Sequence, residues 1–202
     1  MPSAPSSSSP VLVLATLNPH KGRELLALLG AVPFQIKLLS EFPGARLPDE
    51  TGQTYAENAL VKARTAFSLT AALALGDDSG LEVDALGGAP GLHTARFGGS
   101  GLSDRERWDL LLERLRDVPP ARRTARFRCV IALAGPRGEQ VVEGVVEGLI
   151  AEAPRGSGGF GYDPVFFYPP LGRTFGEISD EEKRRVSHRG KALDAARRLL
   201  SE

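Results

Sequence analysis

The sequence predicts an α/β fold, and three observations lead to that prediction. Short apolar runs typical of buried strands alternate with longer runs in which apolar residues recur at helical spacing. Two apolar runs, Phe127 to Ala134 and Gln140 to Glu152, flank a turn of Gly and Pro and predict an antiparallel hairpin. No segment after Pro10 has the composition of a linker between independent domains. We therefore expect one domain over residues 11–202, after a disordered tail over residues 1–10.

The composition limits the classes of partner. Lys and Arg together number 25, as do Asp and Glu, so the formal net charge is zero. A balanced charge argues against a protein that binds bulk nucleic acid or anionic membranes by electrostatics. No apolar run approaches the length of a membrane span, and the first ten residues lack the features of a signal peptide. We expect a cytoplasmic protein that acts on a small molecule. The single cysteine, Cys129, lies in an apolar run and is predicted to be a buried strand residue.

The first element is a strand over Val11 to Ala15, followed by a polar loop over Thr16 to Gly22. A helix is predicted over Arg23 to Leu29, where leucines share one face. A loop between a strand and a helix start favours an anion because backbone N–H groups and the helix dipole point into it. Lys21 adds a positive charge there. An ordinary structural connection explains the pattern equally well.

A second strand is predicted over Phe34 to Leu39, and a long helix from Tyr55 to about Thr70. The helix opens with the capping-box sequence of residues 54–57. Asn58 and Lys62 lie one turn apart on it, so they would face one site together, although a solvated helix face is the commoner role of such a pair.

The stretch from Gly76 to Asp84 contains the most suggestive residues, Asp77, Asp78 and Ser79, directly after an apolar run. Adjacent carboxylates repel each other unless a cation or hydrogen-bond donors share them, so the pair suggests a divalent metal site. Asp, Ser and Gly are also the residues of which turns are made. From these residues alone, a turn at the edge of a sheet is the favoured interpretation.

The second half contains a glycine-rich loop over Leu92 to Gly101 and a helix from a Ser103 capping box to about Leu115. Residues 156–161 match the GxGxxG dinucleotide pattern, but Pro164 follows too closely for a helix to begin there. What remains is a loop carrying Phe160, either a stacking platform for a flat base or a core residue.

A third capping box starts at Ser179, and a last amphipathic helix extends to about Leu200. His188 and Arg189 lie between these two helical segments and interrupt the helical periodicity. We expect a kink or a restart of the helix there, which would present both side chains.

Taken together, these segments resemble the inosine triphosphate pyrophosphatase family of the HAM type, from Val11 to Leu200. Several short motifs occur in the family's order. They are Ala15–Lys21, Glu50–Gly52 with Glu57–Ala59, Asp77–Leu81, Gly87–Gly91, Thr124–Phe127, Gly159–Pro164 and Ser187–Arg189. Leu17 departs from the glycine or small residue that is common in the first motif, and the first ten residues extend beyond the usual start.

The resemblance implies a homodimer with a long, mixed, twisted β-sheet flanked by helices, in two lobes with the nucleotide between them. It implies hydrolysis of ITP, dITP and XTP to the monophosphate and pyrophosphate, with Mg2+ as cofactor. Asp78 would be the catalytic carboxylate and, with Glu50, would hold the metal, Asp49 being a less certain ligand. The implied substrate-binding residues are Thr16, Leu17, Asn18, Pro19, His20, Lys21, Lys62, Ser79, Phe160, Gly161, Tyr162, Asp163, Lys183, His188 and Arg189.

Two questions of mechanism stay open at this stage. Asp78 would act as the general base, or the metal would acidify a water that Asp78 or Asp77 merely orients. The purine 6-carbonyl would accept from Arg189, a protonated His188 or backbone N–H, and adenine would present a donor instead. The alternatives to the proposed activity are a Maf-like pyrophosphatase acting on pyrimidine or modified nucleotides, and a non-catalytic nucleotide sensor.

Overall fold

The computed structural model describes residues 9–201, so the predicted tail over residues 1–10 lies almost wholly outside the described residues. Strands and helices alternate along the first half of the chain, as predicted. In chain order the elements are β1 (Val11–Leu14), α1 (Pro19–Leu29), β2 (Gln35–Leu38), α2 (Tyr55–Thr70), β3 (Leu73–Val83), α3 (Asp104–Arg114), β4 (Thr124–Gly135), β5 (Gly138–Ile150), β6 (Phe166–Tyr168), β7 (Arg173–Thr174), α4 (Asp180–Val186) and α5 (His188–Leu200).

One seven-stranded sheet, with strand order β2-β1-β3-β4-β5-β6-β7, organises the described chain. β1 pairs in parallel with β2 and β3, and the remaining pairs are antiparallel, so the sheet is mixed. Strands β4 and β5 form the predicted hairpin. Helix α2 covers one face through Ala59 and Ala63, while α1 and α5 cover the other through leucines such as Leu25 and Leu193. This arrangement confirms the predicted mixed α/β fold.

A notch in the sheet positions the site. β1 pairs with β3 only as far as Leu75, whereas β3 continues beside β4 to Val83. From Asp77 onward, β3 therefore has a neighbouring strand on one side and open space on the side where β1 ends. Side chains of successive strand residues point to opposite faces, so both faces of β3 contribute polar groups at this notch.

Two local predictions were wrong. Residues 77–80 form no turn but lie in the middle of β3, because they pair with β4 throughout. Helix α1 begins at Pro19 rather than Arg23, because Asn18 caps it and proline at the first position needs no hydrogen-bond partner for a backbone N–H. The predicted restart after α4 is confirmed, with Ser187 capping α5. No helix in the described part of the chain has the length and apolarity needed to cross a membrane.

Candidate active site

A cavity of about 610 Å3 opens at the notch beside β3. Its walls come from the sheet strands β3 and β4, from the loop after β1 with the start of α1, and from α2 with the loop before it. The remaining walls are a 3₁₀ turn over Gly91–Arg96, α3, the loop before β6, α4 and the start of α5. All the predicted site residues except Pro19 and Asp49 line it. They are Thr16, Leu17, Asn18, His20, Lys21, Glu50, Lys62, Asp78, Ser79, Phe160, Gly161, Tyr162, Asp163, Lys183, His188 and Arg189.

Asp77 lies on the face of the sheet that α1 and α5 cover. Its carboxylate lies 2.8 Å from the Lys21 ammonium, accepts a hydrogen bond from Arg189 Nε at 3.1 Å, and accepts another from the Ser79 hydroxyl at 2.9 Å. Burial alone would raise the pKa of Asp77, but Arg189 and Lys21 hold it well below its ordinary value. Asp77 is therefore a fixed anion that orders two cations.

Asp78 points to the opposite face, toward α2. Asn58 donates to one of its oxygens at 3.1 Å, and the Lys62 ammonium donates to the other at 3.0 Å. Lys62 also donates to the Asp77 backbone carbonyl at 2.8 Å. Burial raises the pKa of Asp78, although Lys62 acts in the other direction. The two adjacent aspartates thus have opposite pKa shifts.

The Lys62 ammonium also lies 2.5 Å from a Glu50 carboxylate oxygen, so one cation bridges Glu50 and Asp78. Burial alone would raise the pKa of Glu50, but Lys62 lowers it below its ordinary value. No group of three His, Cys, Asp or Glu side chains within residues 9–201 is arranged to hold a metal ion. Mg2+ commonly takes one or two protein carboxylates and completes its shell with water and substrate phosphates. Two carboxylates that already share one cation fit that requirement.

The start of α1 differs from the predicted anion cradle. The Asn18 side-chain oxygen accepts from the backbone N–H groups of His20 at 2.9 Å and of Lys21 at 3.2 Å. These two N–H groups therefore already have a partner in the protein. The Lys21 side chain, which extends to Asp77, carries the positive charge that remains at this end of the cavity.

Phe160 marks the other end of the cavity. The Lys183 ammonium lies 4.7 Å from the centre of its ring, and the His20 ring stacks beside it at 6.0 Å. Asp163 holds this arrangement, because its carboxylate accepts from Lys183 at 2.6 Å and from the Phe160 backbone N–H at 2.8 Å. Tyr162 is buried, and its hydroxyl donates to the Thr94 carbonyl at 3.1 Å.

His188 is buried and stacks on Phe127, with ring centres 4.7 Å apart. Burial and the neighbouring charges of Arg189 and Lys183 hold the pKa of His188 well below its ordinary value. Of the three donors considered for the purine 6-carbonyl, a protonated His188 is therefore disfavoured, because its buried surroundings favour the neutral ring. Its Nδ1 atom is buried and has no hydrogen-bond partner within the described chain.

Glu24 on α1 is a polar residue of this region that sequence reasoning missed. Its carboxylate contacts the Arg189 guanidinium and lies 3.5 Å from the Lys183 ammonium. Its position three residues after Lys21 places it on the same helix face, which is the pattern that would have identified it. Alternating charges thereby connect the two ends of the cavity, in the order Lys21, Asp77, Arg189, Glu24, Lys183 and Asp163.

Comparison with known proteins identifies the family. The model of the Ham1 family matches residues 12–199. The chain belongs to the Ham1 family. It is 50% identical over 191 residues to a dITP/XTP pyrophosphatase of Desulforamulus reducens, covering 94% of this chain and 95% of that one. It is 53% identical over 185 residues to one of Thermus thermophilus, covering 91% and 88%. The structure of a HAM1 protein from Coxiella burnetii superposes with a TM-score of 0.86 at 41% identity, covering 95% and 98%. The resemblance stated from the sequence motifs is confirmed.

Proposed function

We propose that this protein hydrolyses ITP, dITP and XTP to the monophosphate and pyrophosphate. The relatives named dITP/XTP pyrophosphatases share about half of its residues over nearly the whole chain. The observation that carries the proposal is one cavity with two chemically distinct ends. Asp78, Glu50 and Lys62 form an end suited to phosphates and a cation, while Phe160 and Lys183 form an end suited to a flat base with acceptors.

At the phosphate end, Asp78 and Glu50 would hold Mg2+. Bound there, the ion would neutralise phosphate charge and lower the pKa of water. Lys21 and Lys62 would stabilise the charge that develops on the leaving pyrophosphate. Asp77 is an unsuitable base because its pKa is lowered and its oxygens are engaged by cations. Asp78 would accept the proton of the attacking water or orient that water, and a bound Mg2+ would lower the pKa of Asp78 and so favour the orienting role.

At the base end, Lys183, Arg189 and the neutral His188 ring supply hydrogen-bond donors near Phe160. A purine 6-carbonyl accepts such bonds. The 6-amino group of adenine is itself a donor, so it would face the protein donors without forming a hydrogen bond. A buried group left unpartnered in this way costs about 1–3 kcal/mol. Selection of altered purines over ATP would rest on this mismatch.

The test is release of pyrophosphate from ITP, dITP, XTP, ATP and dTTP, with Mg2+ and with EDTA. Wild type should favour the first three in a metal-dependent manner, and Asp78→Asn should strongly reduce release. The matched control is Glu139→Gln, an exposed acid that pairs with Arg64 outside the cavity. Release mainly from dTTP would indicate a Maf-like enzyme, and tight binding without release would indicate a sensor.

A pH–rate profile of Asp78→Asn separates the two roles of that residue. If Asp78 is the base, the acidic limb disappears with the activity. If Asp78 orients the water, the limb persists at a reduced rate.

The proposal extends to the organisation and location of the protein. We propose one catalytic domain over residues 11–202, divided into two lobes. We also propose that the protein is a homodimer and cytoplasmic, in agreement with the family resemblance. The zero net charge gives no support for binding to nucleic acid or membranes. Sedimentation equilibrium would measure the dimer directly.

A further inference from the structure

The cavity has a polar corner that the proposed chemistry does not use, formed by Asp104 and Arg107 on α3. The Arg107 side chain is 12% exposed. One of its terminal nitrogens donates to the Leu102 carbonyl, and its Nε atom is buried without any partner in the described chain. The Asp104 carboxylate is 3.9 Å away, a long ion pair. Arg107 therefore keeps donor capacity at the wall of the cavity.

This corner belongs to the base end of the cavity. The other Asp104 oxygen accepts from the Gly161 backbone N–H at 2.8 Å, so α3 is tied to the loop that carries Phe160. Lys183 reaches the same loop through Asp163. Two carboxylates therefore hold this loop at separate points. Asp104 connects it to α3, and Asp163 connects it to Lys183.

A guanidinium presents five N–H donors and no acceptor. Leaving a charged donor group partly unsatisfied and buried costs free energy, so an acceptor on a ligand is the expected partner. Among the oxygen acceptors of a purine nucleoside, two differ between the proposed substrates and could therefore set specificity. They are the 2-carbonyl that xanthine has and hypoxanthine lacks, and the 2′-hydroxyl that ribose has and deoxyribose lacks.

We propose that Arg107 is a specificity-determining residue that donates a hydrogen bond to an oxygen of the bound nucleoside, either the xanthine 2-carbonyl or the ribose 2′-hydroxyl. This inference rests on the proposed function. Loss of a hydrogen bond from a charged donor lowers kcat/KM by about tenfold or more for the substrate that has the acceptor. The substrate without the acceptor is affected much less.

The test compares kcat/KM for XTP, ITP and dITP in wild type, Arg107→Ala and Arg107→Lys. Arg105→Ala is the matched control, since Arg105 lies on the same helix, has an 80% exposed side chain and forms a long ion pair with Asp109 at 3.7 Å. Arg107→Ala should lower the XTP/ITP ratio if the 2-carbonyl is the acceptor, or the ITP/dITP ratio if the 2′-hydroxyl is. Arg107→Lys should restore part of the lost ratio, and Arg105→Ala should change neither.

Unchanged XTP/ITP and ITP/dITP ratios in Arg107→Ala would overturn the inference. This includes an equal fall in kcat/KM for all three substrates, which would mean that Arg107 only supports the loop. Equilibrium binding of XMP, IMP and dIMP measures the same ratios without turnover. An inactive wild type whose binding ratios still shift in Arg107→Ala would therefore refute the proposed hydrolysis and support the role of Arg107. A wild type that neither releases pyrophosphate from the triphosphates nor binds any of the three monophosphates would overturn both.

Discussion

The adjacent aspartates of β3 allow a sharp prediction, because the structure gives them opposite energetic roles. Asp77 is 1% exposed in its side chain and pairs with Lys21 and Arg189. Asp77→Asn removes the charge that compensates two cations, and breaking a buried pair of this kind costs about 3–5 kcal/mol. Asp78→Asn removes a charge whose burial the fold already disfavours, as its raised pKa indicates. Lys62 keeps Glu50 and a backbone carbonyl as partners in that variant, so we expect a change below about 1 kcal/mol.

Urea unfolding at pH 7 in EDTA, followed by circular dichroism, measures both effects. For a chain of this size the Asp77→Asn cost corresponds to a fall in Tm of about 6–20 °C. Activity should respond in a different pattern, since Asp78→Asn should be folded but strongly impaired in catalysis. An Asp77→Asn variant as stable as wild type, together with a strongly destabilised Asp78→Asn, would refute the opposite energetic roles assigned to the two charges.

Three further predictions follow from the described contacts. Glu24→Gln removes one charged partner from the buried cations Lys183 and Arg189. It should lower the free energy of unfolding, measured by urea titration, by about 1.5–3 kcal/mol. A loss under about 0.5 kcal/mol, the size of an ordinary surface change, would contradict the chain of alternating charges. Because the fold lowers the pKa of His188, the folded state keeps this ring neutral at a pH at which the unfolded chain already binds a proton. The free energy of unfolding is therefore unaffected by His188 above about pH 6.5 and falls below it, by at most about 1.4 kcal/mol per pH unit. Urea unfolding from pH 7 to 5 should show a steeper loss of stability in wild type than in His188→Asn, and parallel slopes would contradict it. A Cβ at Gly76 would lie 2.2 Å from the Ala59 carbonyl oxygen, so Gly76→Ala should displace α2, lower stability by about 1–3 kcal/mol and reduce kcat, and an unchanged Tm would contradict this packing.

Local patterns predicted those parts of the fold that local physics determines. The hairpin of β4 and β5 follows from two apolar runs around a Gly-Pro turn, and the restart at Ser187 follows from a cap beside broken periodicity. Local pattern predicts a turn rather than a strand at residues 77–80 because Asp and Gly have low strand propensity and Asp, Ser and Gly are common in turns. These residues are stable in a strand because Lys21, Lys62 and Arg189, which are distant in sequence, neutralise the carboxylates.

The candidate site was predictable as a set of residues but only partly as a geometry. The family motifs identified the residues that line the cavity, yet they did not reveal that Asn18 engages the backbone N–H groups at the start of α1. They also gave no indication that His188 is buried on an aromatic ring and neutral. Arg107 lies outside the family motifs, and its location beside the loop that carries Phe160 depends on the packing of α3. Burial and pairing across distant segments set these properties, and a sequence pattern does not encode them directly.

The separation of the two carboxylates explains how one strand serves both ends of the cavity. Alternation along β3 sends Asp77 toward α1 and α5 and Asp78 toward α2, although the residues are neighbours in sequence. The Asp77 side leads through Arg189 and Glu24 to the base end, so a base that disturbs Lys183 also disturbs the ion pairs around Asp77. Because Lys62 donates to the Asp77 carbonyl and to the Asp78 carboxylate, the same strand residues connect that charge chain to the phosphate end. A substitution at Glu24 should therefore change kcat for ITP as well as its KM, and a change in KM alone would show that the two ends act independently.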